Sequence, residues 1–179
     1  VCHSGPNADT TVNNRDLVVC SAAPGDIAEW YEVSGTAEAG DVMATTADSF
    51  TYNSTQVDPT TGELTGTTRS TTIPKLSKTT TAYQQTVIGI VSTSPYQVFG
   101  ADVQAQGANP KPIAMTGRVL VKVNTSNGNI SRGDYLTSSA TAGVAMKATR
   151  PGPVVGKALE DYSSGGTGTI MMFVNVAII

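Results

Sequence analysis

Residues 117–158, GRVLVKVNTSNGNISRGDYLTSSATAGVAMKATRPGPVVGKA, constrain the fold more than any other stretch. In residues 117–123, Val119, Val121 and Val123 fall on one side of an extended chain, and Arg118, Leu120 and Lys122 on the other. Period-two alternation is the pattern of a half-buried strand. Asn127-Gly128-Asn129 then supplies a tight turn, and residues 134–136, 144–147 and 154–159 read as further short strands between glycines. Strands this short and this closely spaced leave no room for a helical layer, so the segment predicts an all-β domain.

A weaker copy of the pattern lies upstream. Gly40-Asp41-Val42-Met43-Ala44-Thr45-Thr46 aligns with Gly133-Asp134-Tyr135-Leu136-Thr137-Ser138-Ser139. Val87-Ile88-Gly89-Ile90-Val91 aligns with Val154-Val155-Gly156-Lys157-Ala158, and Lys75-Leu76-Ser77-Lys78 loosely with Ala145-Met146-Lys147-Ala148. The first correspondence is offset by 93 positions and the second by 67, so the first copy carries about 26 additional residues. These fall at 49–73, where Asp58-Pro59 and Gly62 mark the turn of a projecting hairpin. Asp41 and Asp134 read as turn residues that hydrogen-bond the local backbone. Neither has the spaced Asp or Asn companions of a calcium loop.

Composition supports the same class and excludes several functions. Of the 179 residues, 14% are charged and 39% hydrophobic, and the net charge is -3. Thr suits the solvent face of strands, and Gly, Asn and Ser suit turns. No basic run follows a phosphate backbone, so nucleic acid is not an expected partner. No apolar stretch approaches the roughly 20 residues that span a bilayer. His3 is the only histidine, and with Cys2 and Cys20 it makes three ligands for a zinc site that needs four. No metal or cofactor is expected. A serine hydrolase would lack a well-placed base, and residues 163–168 lack the ending of a phosphate-binding loop. The expectation is a non-enzyme.

The N-terminal region, residues 1–25, reads as a loop followed by a short apolar strand at 16–20. Cys2 and Cys20 lie 18 positions apart and are expected to form a disulfide, worth about 3 kcal/mol on the loop-entropy model. The chain starts at Val1, which suggests a processed form or a fragment. Residues 26–179 read as the duplicated β-domain, with 26–93 as its first copy, 94–112 as a long irregular connection, and 113–179 as the second copy with its terminal strand. Residues 26–33 read as an edge strand or one turn of helix, with the strand preferred, and Trp30 as an anchor in the core or at an interface. Residues 75–85 are polar and Thr-rich, with room for a turn of helix, though their β-branched threonines argue against a long one.

Three regions are candidates for contact with other molecules: the hairpin tip at residues 58–66, the terminal run and the 94–112 connection. Residues 170–179 form the most apolar run: Ile170, Met171, Met172, Phe173, Val174, Val176, Ile178 and Ile179. Such a strand completes its own sheet or adds to the open edge of a neighbour's. In the 94–112 connection, Tyr96 and Phe99 could stack on a sugar, or else cap the core or a subunit interface.

DIAEWYE, AGDV, VIGIVSTSP, PIAMTGRVLVKV, GDYLTSS, GVAMKAT, VVGKALE and GTIMMFVN occur here in order between about Asp26 and Asn175. In this the chain resembles a β-domain at the C-terminal end of large bacterial surface or tail-fibre-like proteins. It is more distantly similar to the self-cleaving chaperone domains of phage neck appendages and tail spikes. The resemblance implies two β-modules, β-clip-like or barrel-like, sharing one core. It implies a structural subunit of an extracellular fibre, filament or surface appendage, on a cell surface or virion, that assembles with copies of itself. An adhesion module that binds a surface glycan or protein is the alternative. On the more distant similarity, Asp26 and Glu29 would be the acidic pair near a scission point.

Overall fold

A computed structural model describes residues 25–179. The described residues are all-β apart from one short helix. Its strands are β1 (Gly25–Glu32), β2 (Val42–Val57), β3 (Leu64–Lys78), β4 (Val87–Val91) and β5 (Gln97–Phe99). After the helix α1 (Ala101–Gln106) come β6 (Pro110–Asn124), β7 (Tyr135–Ser138), β8 (Ala145–Lys147), β9 (Pro153–Ala158) and β10 (Thr167–Ile178). Hydrogen bonding links all of them into a single 10-stranded sheet.

The sheet turns on β6. Its N-terminal part pairs with β1 and with β4, and its C-terminal part pairs with β10 and with β8. Two circuits of pairing result. The first runs β6–β4–β2–β3 and returns through the Val33↔Leu76 bridge to β1 and so to β6. The second runs β6–β10–β9–β7–β8 and returns to β6 through Val123↔Ala145.

Corresponding positions hold corresponding registers. Val42↔Ile90 and Met43↔Gly89 in the first circuit match Tyr135↔Lys157 and Leu136↔Gly156 in the second. Gly40 donates its N–H to the Val91 carbonyl at 2.9 Å, and Gly133 donates to that of Ala158 at 2.8 Å. Val91 donates back to Asp41 and Ala158 back to Asp134, both at 2.9 Å. The third sequence correspondence needs a correction of one residue. Met43 faces Lys78 and Leu136 faces Lys147, so the two lysines are the equivalent pair. Each lysine forms an ion pair with the aspartate of its own turn, which fixes that position in a way the flanking apolar residues do not.

Val119, Val121 and Val123 are buried as their alternation predicts, while Leu120 is 45% exposed. With Leu136, Val155, Ile170, Met172 and Val174 they form the larger apolar cluster, and Val33, Met43, Leu76, Val91 and Ile113 form the smaller. Gly89 and Gly156 are small because a neighbouring strand passes close by. A Cβ at Gly89 would strike the Ala114 carbonyl oxygen, and one at Gly156 that of Phe173.

Two local expectations are corrected. Residues 94–112 are not an irregular connection: they hold β5, α1 and the start of β6, with β5 pairing parallel to β1. Residues 75–85 hold the end of β3 and a turn, and the only helix among the described residues lies at Ala101–Gln106. Residues 26–33 do form β1, but Trp30 is only half-buried.

Gly117 sits where β6 is flanked by β1 on one edge and β10 on the other. Its φ is 102°, and an added Cβ would strike the Gly25 carbonyl oxygen and lie 2.6 Å from the Asp26 Cα. Gly117→Ala should therefore lower stability by about 3 kcal/mol, from backbone strain plus displacement of β1. Gly128 also has a positive φ, 95°, but has open space around it. Gly128→Ala should cost only about 1 kcal/mol. Urea unfolding of both variants measures the difference, and equal losses would contradict the assignment of Gly117 as a packing constraint.

Candidate interaction surface

β10 alternates as far as Val174, where a register shift against β9 breaks the pattern. Ile170, Met172 and Val174 point into the core, Met171 is half-buried, and Phe173, Val176, Ile178 and Ile179 are exposed. Both of its edges are occupied within the chain. Thr167 to Asn175 pair with β6, and Met172 to Ile178 pair with β9. Of the two roles expected for this strand, it completes its own sheet here, and it presents side chains outward instead of a free edge. Leu120 lies opposite Met171 and Arg118 opposite Phe173, giving an exposed apolar stripe across β6 and β10. Lys157, which faces Phe173 from β9, places its ammonium 4.6 Å from the centroid of the Tyr135 ring.

The hairpin of β2 and β3 is a second exposed feature. Past Thr45 and Leu76 its strands pair, among the described residues, only with each other, from Ser49↔Pro74 out to Val57↔Leu64. One face carries Phe50, Tyr52 and Ile73, half-buried, with the Phe50 and Tyr52 rings stacked at 6.1 Å. The other face carries Thr51, Asn53, Thr55, Thr68, Ser70 and Thr72, all exposed. Thr51 and Thr72 share a hydroxyl–hydroxyl hydrogen bond of 2.8 Å across that face. At the tip, the Asp58 carboxylate accepts from the amides of Thr60 at 2.7 Å and Thr61 at 3.1 Å, which hold its carboxyl below the usual range. Val57 and Leu64 beside it are 52% and 72% exposed.

A contact that sequence reasoning missed closes part of this hairpin. Gln106, at the end of α1, donates its side-chain amide to the Asn53 carbonyl at 2.8 Å and accepts from the Asn53 N–H at 3.0 Å. The amide takes the place of a neighbouring strand's peptide on the outer edge of β2. No sequence signal marks it, because its partner is 53 residues away and both residues look like ordinary surface polar groups.

Of the expected contact aromatics, Phe99 is 52% exposed at the end of β5. Tyr96 is half-buried just before it, and its N–H donates to the Asp26 carbonyl at 2.9 Å. Asp26 and Glu29 lie three residues apart on β1 and so face opposite sides of the sheet. Glu29 accepts from the Tyr31 hydroxyl at 3.3 Å; burial first and that carboxylate second push the phenol up to about 12. Asp26 is buried, with one carboxylate oxygen unpartnered, beside an open cleft of about 290 Å³ lined by Gly25, Ser92, Arg118, Leu120 and Met171. The two carboxylates cannot act on one bond from these positions.

The Gly-Asp turns are structural. The Asp41 carboxylate accepts from the Glu38 amide at 2.8 Å, and that of Asp134 from the Ser131 amide at 2.7 Å. Burial works against the charge on Asp134, but Lys147 and the Ser131 amide outweigh it and hold the carboxyl below its usual range. Among the described residues, no three metal-ligating side chains converge, and no helix is long and apolar enough to cross a membrane. Cys2, Cys20 and His3 lie outside the described residues.

Burial raises the Asp26 pKa, against a smaller opposing effect of its hydrogen bond with Ser92. The folded state therefore holds the proton more tightly than the unfolded state. This contribution to stability is fully present below the unfolded pKa and is lost as pH rises through the folded value. Asp26→Asn should remove this fall in stability with rising pH, so the variant's profile rises more steeply from acid to neutral pH, and it should be at least as stable as the parent at neutral pH. Urea midpoints across that range measure it, and a variant with the parent's full acid slope would rule Asp26 out as the source.

Compared with known proteins, the chain matches no family model, no curated protein and no solved structure.

Proposed function

We propose that this chain is a structural subunit of an extracellular fibre, filament or surface appendage that assembles with copies of itself through β-rich interfaces. The observation that carries the reading is the β2–β3 ribbon. A two-stranded ribbon alone in water is at best marginally stable; it needs a third strand, a hydrophobic face that is covered, or a helix against it. Here α1 meets the ribbon through Gln106 at Asn53, but among the described residues its outer half has none of these, and its tip exposes Val57 and Leu64. An exposed edge of this kind invites another chain.

Two further features favour the reading. The stripe of Leu120, Met171 and Phe173 offers apolar surface for contact beside the ribbon-bearing half. The matched registers of the two circuits, and their matched Gly-Asp turns, support a duplicated pair of barrel-like modules that share β6. Such a body is rigid, and it suits a load-bearing or spacing role better than one that needs a moving site. Self-cleavage is disfavoured by the opposite facing of Asp26 and Glu29.

Size-exclusion chromatography with light scattering should show a discrete oligomer of the intact chain across a wide concentration range. Replacing residues 50–73 with an Asn-Gly turn should give a folded monomer with an unchanged thermal transition of the core. An intact chain that stays monomeric throughout would overturn the assembly reading.

A further inference from the structure

The cleft beside Asp26 is a feature that self-assembly does not use. Its volume is about 290 Å³, at the lower end of pockets that hold one small molecule. Buried Asp26, Ser92 and Val119 form its floor. Exposed Arg118 and Leu120 form its rim, with half-buried Met171 opposite Leu120. Arg118, Val119 and Leu120 are consecutive, yet all three line it. Successive side chains of a strand point to opposite faces, so the cleft follows the edge of β6 beside the Gly25↔Arg118 pair. Asp26 sits opposite Gly117 in the register, so it and Arg118 reach the cleft from different sides.

These two charges are left over by the fold. Asp26 is 2% exposed, and Ser92 is the side-chain hydrogen-bond partner of its carboxyl group. One of its oxygens meets no donor among the described residues. A buried acceptor in that state calls for a donor that the chain itself does not supply. Arg118 enters no ion pair among the described residues. Its guanidinium lies across Gly25, where a Cβ would be 2.6 Å from the Arg118 Nε, so glycine there makes room for it at the rim.

We propose that this cleft binds an α-amino acid with a short apolar side chain, its ammonium donating to Asp26 and its carboxylate meeting Arg118. A simple ammonium ion would answer Asp26 but be repelled by Arg118, and a simple anion would meet the reverse. A ligand that carries both charges on neighbouring atoms answers both. Val119, Leu120 and Met171 leave an apolar wall for its side chain. None of the lining residues is aromatic, so a sugar ring finds no platform to stack on. The free oxygen is reached by rotation about the broad terminal torsion of the aspartate side chain.

Calorimetric titration of the full chain at neutral pH with L-valine, L-leucine and L-methionine should give saturable binding of one molecule per chain. 3-Methylbutylamine lacks the carboxylate of leucine, and 4-methylpentanoate lacks its ammonium. Each should bind about tenfold or more weakly than leucine, as loss of one charge-assisted hydrogen bond requires. Asp26→Asn should weaken leucine binding and leave 4-methylpentanoate binding unchanged. Arg118→Gln should weaken leucine binding and leave 3-methylbutylamine binding unchanged. A merely structural role for either residue would not produce that split. No saturable binding by any of the three amino acids overturns the proposal. So does leucine binding no tighter than its two analogues, or leucine binding untouched by both substitutions. Binding is counted per chain, so the result stands apart from whether the chain self-assembles.

Discussion

Everything in this molecule depends on one strand being shared. β6 is the last strand of one circuit of pairing and the first strand of the next. Between Ala114 and Gly117 its partners change, and a register shift against β1 falls in the same place. Three strands must come within hydrogen-bonding distance around Gly117, and a side chain there would collide with the backbone of β1. Neither half can then form its full sheet without the other. Pairing β1 with β6 also brings Glu32 to Pro110, so the first circuit closes only after the chain has reached the second. Closure of so long a loop before the contacts form is the reason such topologies fold slowly.

The two Gly-Asp turns perform the same local task in different surroundings. Each aspartate accepts a backbone amide three residues earlier and takes a lysine partner. Asp134 pairs with Lys147 at 2.8 Å near the surface, where an ion pair adds little, on the order of 0–1 kcal/mol. The Asp41 carboxylate is 2% exposed, and Lys122 reaches it at 2.8 Å from the second half of β6. Lys122 also donates its backbone N–H to Gly40 at 2.9 Å. The buried pair is therefore a registration device between the halves. Its desolvation offsets much of the attraction, and loss of Lys122 would leave the buried Asp41 carboxylate with Lys78, 3.9 Å away, as its cation.

What the sequence made legible follows from where its signals were local. Alternation at 117–123 placed Val119, Val121 and Val123 in the core because all three face one neighbouring layer. The aligned glycines 89 and 156 were visible as a pattern, but their cause, a carbonyl oxygen of an adjacent strand, was not. Residues 75–85 looked like a place for a helical turn because their polarity has no period. The structure uses them as a strap: Tyr83 takes a left-handed φ of 55°, donates its N–H to the Ser138 carbonyl at 3.0 Å and accepts from the Thr149 amide at 2.8 Å. The 94–112 segment was similarly opaque. Its prolines and glycines suggest a loop, and only tertiary pairing with β1 makes residues 97–99 a strand. The interaction surface was the least legible part, since Gln106 acts through two backbone atoms of Asn53 and no property of either side chain announces it.

The ribbon shows most clearly how local preference and global packing separate here. Its threonines favour extended backbone through branching at Cβ, and they need no core to do so. Such a sequence specifies that it is a strand without specifying what lies beside it. Elsewhere in the chain burial settles that question: a one-residue slip in β10 would carry Ile170, Met172 and Val174 to the solvent face. In the ribbon both faces are polar beyond Tyr52 and Ile73 until Val57 and Leu64, which are exposed at the tip, so burial does not fix its neighbours. Only hydrogen-bonding capacity remains to distinguish one edge from the other, and this is the property on which Gln106 and Pro74 act. A side-chain amide on one edge and an imino acid on the other therefore give direction to a segment whose composition has none.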